Sequence, residues 1–325
     1  MNQAELKKTV YIQFRGGLGN QLFQYFAGEF LKSTYNVQVK YIYRSKSNPH
    51  HKTFSNIDSF NLKSDFINYY SLKFCFILSK SVLRAPTFIQ MYFTGKLTIK
   101  NWKSKILFGN IYDEKALGFQ KEIESLNTWL SDSKSRVFYL RGLFMNYGFF
   151  DSQPSKNLIL KKPSRWYQQF IEESSLKKPI ILHVRLGNYL DKTRLDQGVL
   201  SLEYYQAALN YLRKSYASNE VWVISDETAK AKILLTPMID SSFNFRYDSE
   251  DKDPAEVLLA MSTGVGLITS NSSFSLWSGK LSCDSSSIVV PHPYYKNLAV
   301  ADDLLEPWFK VNSNWLTQMQ INKLL

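Results

Sequence analysis

Among its 325 residues the chain has two cysteines, Cys75 and Cys283, far apart in the sequence. That leaves no disulfide framework and no paired-thiol metal site, and reduced cytosolic thiols are the expectation. Long apolar runs are also scarce. Between residues 73 and 105 they fall well short of the roughly 18 to 20 residues a membrane-crossing helix needs. Residues 1–8 are polar and carry no signal-peptide core. Acidic residues number 28 against 40 lysines and arginines, a formal net charge of +12. Such an excess fits nucleic acid, an acidic membrane face or a phosphorylated substrate, or else a basic surface with no specific partner. The aromatic and basic residues of the 69–105 stretch are compatible with contact at an anionic membrane surface.

What is plentiful is aromatic: 22 Phe, 20 Tyr and 7 Trp, within a composition 44% hydrophobic and 21% charged. This is a globular composition, and the length suits two domains of about 150 residues each. Strand and helix patterns alternate along both halves, which predicts parallel, doubly wound α/β sheets. In the first half, residues 9–14 read as a strand, followed by the glycine turn RGGLGN at 15–20 and a helix with Asn20 as N-cap. Helix-start amides after a glycine turn are placed to meet an anion. A dinucleotide fingerprint is disfavoured, because Leu22 stands where the third glycine belongs and the next strand, 37–43, ends in Arg44 instead of an acid. Further strands are expected at 106–111 and 137–140 around a helix near 115–126. The polar stretch 152–163, with Pro154 and Pro163, reads as the linker.

The second half is organised around 179–189, PIILHVRLGNY. Ile180, Ile181, Leu182 and Val184 form a buried strand pattern, and His183 and Arg185 leave its carboxyl end together at period two. Ser201 is expected to cap a helix bearing Leu202, Tyr205, Leu209 and Leu212, and Leu200 to staple onto Tyr205. Residues 221–224 form the next strand and end at Ser225 and Asp226. Asp253 to Glu256 reads as a capping box with proline at the first helical position. Residues 266–269 form a strand leading through Ser270, Asn271, Ser272, Ser273 and Phe274 into a helix, and 288–290 a closing strand.

Three strand-end loops therefore carry His183 with Arg185, Ser225 with Asp226, and Asn271 to Phe274. In an open parallel sheet such ends border one crevice. Arg185 offers a planar fork for phosphate oxygens. Ser272, Ser273 and the helix-start amides are neutral donors, and Asp226 is a two-oxygen acceptor suited to a guanine edge. Taken singly, each has an ordinary use as a turn residue, a helix cap, a core histidine or a surface ion pair. Their joint placement is what points to a ligand.

The blocks RGGLGNQLFQYFAGEFL (15–31), YLRGLFMNYGFF (139–150), HVRLGNY (183–189), LSLEYY (200–205), VISDE (223–227) and ITSNSSFSLWSGKLS (268–282) resemble, in order, the α1,2-fucosyltransferases of glycosyltransferase family 11. That resemblance covers most of the chain outside about 45–105. It implies the GT-B type, two Rossmann-like doubly wound domains facing a central cleft. On this expectation residues 1–160 are the acceptor-side domain with the glycine loop, and 161–325 bind the nucleotide sugar. It implies inverting, metal-independent transfer of L-fucose from GDP-fucose, with no cofactor, to a galactose-containing oligosaccharide that is either free or lipid-linked. Arg185 would stabilise the departing β-phosphate, His183 and Asp226 would contact the nucleoside, and Ser272, Ser273 and Phe274 the phosphates. Gly17, Gly19 and Asn20 would close over the pyrophosphate and sugar, with Asn20 positioning the nucleophile. The family usually reads H-x-R-R-G-D; this chain has Leu186 and Asn188 at the last R and D.

Candidate bases for the acceptor hydroxyl are Glu29, Asp191 and Asp226. One alternative is a metal-dependent transferase using another sugar nucleotide, on the D-x-D spacing of Asp251 and Asp253. The other is a basic nucleic-acid-binding protein, although no binding motif accompanies the charge. The expected setting is the cytoplasm of a bacterium, with or without peripheral contact at the inner membrane, in surface polysaccharide (O-antigen) synthesis.

Overall fold

The computed structural model describes residues 8–43, 56–62, 65–68, 110–115, 118–132, 136–154, 158–191, 196–239, 242–248 and 251–325. The chain divides into two compact units, 1–58 with 62–158, and 59–61 with 159–325. Residues 59–61 join the second unit through an antiparallel bridge between Phe60 and Leu160, and Ser59 Oγ donates to Asp253 Oδ2 at 2.7 Å.

The first unit is built on a parallel sheet in the order β3-β2-β1-β5-β4. Its strands are β1 (Thr9–Gln13), β2 (Gln38–Tyr43), β3 (Asp65–Asn68), β4 (Asn110–Asp113) and β5 (Val137–Arg141). Its helices are α1 (Leu18–Tyr35), α2 (Phe119–Leu130) and α3 (Gly148–Asp151). α1 begins two residues before the expected Asn20 cap. Gly16 makes the turn at φ +74° and Gly17, in extended conformation, is the N-cap, with no side-chain cap bond. Asn20 thus sits in the first helical turn. The strand expected at 106–111 is found at Asn110–Asp113, and residues 106–109 lie outside the described set. α2 starts later than its sequence pattern, after Gly118 at φ +83°.

The second unit is a parallel sheet in the order β11-β10-β9-β6-β7-β8. The strands are β6 (Ile180–Val184), β7 (Glu220–Ser225), β8 (Asn244–Tyr247), β9 (Gly266–Ile268), β10 (Ile288–His292) and β11 (Phe309–Asn312). The helices are α4 (Arg165–Lys177), α5 (Leu202–Arg213), α6 (Thr228–Leu235), α7 (Pro254–Met261), α8 (Ser273–Leu281) and α9 (Gln318–Leu324). β6 is buried along its whole length, as a central strand covered on both faces must be. Its Leu182 and Val184 share one core with Leu209 and Leu212 of α5 and Val223 of β7. β10 does not close the sheet, because β11 pairs beyond it.

Two parallel α/β sheets, each with a strand order that reverses beside its first strand, give the fold class the sequence implies. The expected capping box at Asp253 is only half made. Asp253 Oδ1 accepts from Ala255 N at 2.8 Å, but Glu256, buried, turns away to accept from Ser164 N (2.5 Å) and Oγ (2.6 Å). Ser164 in turn caps α4, so Glu256 fastens the start of α4 to α7.

Gly28, in mid-α1, lets the helix lie against β1 and β2. A Cβ there would overlap the Tyr41 hydroxyl and come within 2.7 Å of Ile12 Cδ1. That hydroxyl donates to Tyr25 O at 2.8 Å and bonds Glu29 Oε1 at 3.1 Å, so it has little room to retreat. Gly28→Ala is expected to destabilise the protein by about 1–3 kcal/mol despite alanine's better helix propensity, read as a lower midpoint in urea unfolding.

Candidate functional site

Each unit carries an organised set of loops at the carboxyl ends of its strands. In the first sheet the order reverses between β1 and β5, and the loops after those two strands are tied by one buried glutamine. Gln24, fully buried in α1, accepts from Arg15 N (3.0 Å) and donates to Gly142 O (2.8 Å). Gln21 donates to Gly16 O at 3.1 Å and holds the glycine turn from its other side. Gly17 is exposed over open space, Gly19 is buried, and half-buried Asn20 lies against Gly16, where a Cβ would strike its side chain. Glu114, just past β4, accepts from Leu143 N at 2.6 Å. Burial pushes its carboxyl group upward against the opposing pull of the Phe144, Leu143 and Met145 amides, with Glu122 raising it further. Neither glutamine nor Glu114 was singled out from sequence. Two amides on the apolar face of a helix pattern were the available sign for the glutamines.

In the second sheet the order reverses between β6 and β9. His183 and Ser270 meet across this point, His183 Nδ1 lying 2.8 Å from Ser270 Oγ. The Phe274 ring packs against the imidazole at 5.7 Å between centroids. Burial, then the neighbouring Arg185 charge, lower the His183 pKa to about 3, so the ring is neutral across the physiological range.

Arg185 follows one residue beyond β6. One guanidinium nitrogen, Nη1, lies 2.6 Å from Asp226 Oδ2, and Nη2 donates to Asn188 Oδ1 at 2.6 Å. The cation also lies 5.3 Å from the Tyr189 ring centroid. Asp226, expected to face a nucleoside, has its other oxygen on Leu186 N at 2.9 Å. Gly187 is required here: at φ +20°, a Cβ would overlap the Asp226 carboxylate.

The remaining expected residues border the same loops. Ser225 Oγ accepts from Glu227 N at 3.0 Å, making a local turn. Asn271 Nδ2 donates to Gln197 O (2.8 Å) and Gly198 O (3.0 Å), holding the segment before α5, while Tyr189 OH donates to Asn271 O. Ser272 caps α8 through Phe274 N, and Ser273 is the first residue of that helix. Of the candidate bases, Glu29 is engaged by Tyr41 and Lys32, Asp226 by Arg185, and Asp191 is exposed after the turn at Gly187–Leu190. The carboxylate of Asp253 is taken up by Ala255 N and Ser59 Oγ, and no cluster of three metal-ligating side chains occurs among the described residues. No described helix is long and apolar enough to cross a membrane. Ser270, Tyr189 and Asn188 are the contributors missed as site residues.

The depressed His183 pKa sets a stability prediction. Below the unfolded value near 6.5 the unfolded chain gains a proton that the folded chain refuses until about pH 3. Stability is therefore lost as pH falls through that window. His183→Gln, which cannot titrate, should show a shallower loss of thermal midpoint between pH 6.5 and 4 than the parent; equal slopes would refute the buried, neutral state.

Residues 9–312 match the sequence profile of Glycosyl transferase family 11. The chain is 24% identical over 313 residues to an Escherichia coli alpha-1,2-colitosyltransferase, covering 93% of this chain and 98% of that protein. It is 22% identical over 319 residues to the E. coli O-antigen biosynthesis glycosyltransferase WbnK, covering 93% and 100%. Among solved structures, E. coli ADP-heptose LPS heptosyltransferase II superposes with a TM-score of 0.47 at 8% identity, covering 96% and 93% of the two chains. The profile match runs across almost the whole chain, and the protein is a glycosyltransferase that belongs to glycosyl transferase family 11.

Proposed function

We propose that this glycosyltransferase moves L-fucose from GDP-fucose, with inversion, to a hydroxyl of an acceptor glycan, O2 of a galactose, in building a bacterial surface polysaccharide of the O-antigen type. The observation that carries the reading is Arg185, braced by Asp226 and Asn188 at the reversal point of the second sheet. In an inverting displacement the acceptor oxygen bonds to the anomeric carbon, giving its proton to a base, as the bond to the phosphate oxygen breaks and negative charge grows on the departing diphosphate. A preorganised cation is worth most where that charge develops. Arg185 supplies it, and the start of α8, with Ser272, Ser273 and Phe274, would supply neutral donors to the same phosphates. Because Asp226 holds Arg185 and Leu186 N, we give it the role of fixing the cation in place of reading the base.

The linkage and the polysaccharide are supported by the names of the two E. coli relatives, one for α1,2 transfer and one for O-antigen synthesis. The first also favours a second reading, in which the transferred sugar is colitose.

Incubation with a panel of GDP- and UDP-sugars and simple galactosides, reading released nucleotide and product linkage, separates these readings. GDP-fucose turnover to an α1,2-fucosylated galactoside, unchanged in EDTA, is the expected result; loss of turnover in EDTA would favour the metal-dependent alternative. Arg185→Ala should lower kcat by about 10² or more, as for loss of an anion-stabilising donor. Near-normal turnover in that variant would remove Arg185 from the role.

A further inference from the structure

We infer that Ser270 is a positioning residue that locks His183 in the tautomer carrying its proton on Nε2, so that the end of β6 offers the donor nucleotide a neutral N–H beside the Arg185 guanidinium. The inference rests on the reading that the sugar nucleotide binds at this end of the second sheet.

The argument is one of hydrogen-bond satisfaction. Ser270 is fully buried, and among the described residues His183 Nδ1 is the one partner of its hydroxyl. A serine hydroxyl has a single proton to give. If Nδ1 carried a proton and donated to Ser270 Oγ, the hydroxyl proton would be left without an acceptor in a dry site, the costly arrangement. The reverse assignment satisfies both groups: Ser270 donates, Nδ1 accepts, and the neutral ring keeps its proton on Nε2. The ring is held neutral by its burial and by Arg185.

The pair is also braced. Ser270 N donates to Ser275 Oγ at 3.3 Å, and that hydroxyl returns to Ser270 O at 3.3 Å, which fixes the serine backbone to the first turn of α8. Phe274 packs on the imidazole from the same helix. Nε2 has no partner among the described residues. An N–H without a protein acceptor, on a ring otherwise packed into the fold and next to a fixed cation, is matched to a ligand oxygen, on a phosphate or a ribose. Because the ring does not titrate near neutrality, this donor would not switch off as pH rises, unlike an imidazolium.

The decisive measurement is made on the unaltered protein: long-range proton–nitrogen correlation spectra of histidine-labelled protein, with the His183 signals assigned by their loss in the spectrum of His183→Gln. The expected spectrum shows a neutral ring protonated on Nε2; a proton on Nδ1 overturns the inference. Ser270→Ala should move the ring toward mixed tautomers and raise the KM for GDP-fucose about tenfold, with kcat changed less. Ser270→Thr, which keeps the hydroxyl, should restore both. A purely structural serine would instead lower stability in Ser270→Ala and leave the tautomer unmoved, which also overturns the inference. A tautomer shift with KM for GDP-fucose and Kd for GDP both unchanged would sustain the serine's hold on the ring but refute donor binding at this end of the sheet.

Discussion

The second unit's site depends on one carboxylate. Asp226, at the end of β7, takes the guanidinium of Arg185 on one oxygen and the backbone N–H of Leu186 on the other. Both partners belong to the chain leaving β6, so the carboxylate fixes a side chain and its own main chain together. As a contribution to stability an ion pair this exposed is worth little, about 0–1 kcal/mol. In the role proposed for Arg185 its importance is positional: the arginine side chain has many rotamers, and a cation facing developing charge is useful only if already oriented. Gly187 is part of the same arrangement, since any side chain there would occupy the space of the carboxylate.

The first unit repeats the device with other residues. Glu114, past the end of β4, accepts from Leu143 N in the loop after the neighbouring strand β5, as Asp226, past the end of β7, accepts from Leu186 N after β6. In both sheets the acid comes from the strand that pairs with the one whose loop it holds. The units then diverge. In the first, Gly142 stands where Arg185 stands in the second, and the arginine of that strand end, Arg141, is paired with Asp113 of β4; the loops are joined by the neutral amide of Gln24, and the glycine turn remains open above Gly17. In the second, Arg185 lies beyond the strand end, held by Asp226 and Asn188.

Much of this was legible because parallel strands buried on both faces leave unbroken apolar runs, as 180–182 does, and because strand ends in such sheets are where polar residues become useful. Other parts were illegible for definite reasons. α4 buries only Phe170 and Ser174 among thirteen residues, so it has almost no apolar stripe to read. β8 and β11 are short strands at the two edges of the sheet, partly exposed along their length, and lack the continuous run of a central strand. The start of α1 was displaced because a positive-φ glycine turned the chain early and extended Gly17 took the cap, while Asn20 looked like the better capping residue. Ser270 and Glu114 act through contacts 87 and 29 residues away, which no local pattern announces.

The two departures from the family's usual H-x-R-R-G-D pattern become intelligible together. Leu186 is fully buried in the apolar core with Leu190 and Val199, a place where a guanidinium would need a carboxylate to accompany it. Asn188, four atoms of side chain without charge, keeps the acceptor oxygen that Arg185 uses while removing the anion. The usual pattern, counted with Asp226, places two cations and two anions at this strand end. Here there is one of each, Arg185 and Asp226, with His183 neutral. The local net charge is therefore the same. A change at Leu186 alone would leave an unmatched carboxylate beside Arg185 and weaken its attraction for a phosphate; a change at Asn188 alone would strand a buried cation. Read as a pair, the substitutions preserve the field an anionic leaving group would meet, and the site loses an ion pair without losing its charge.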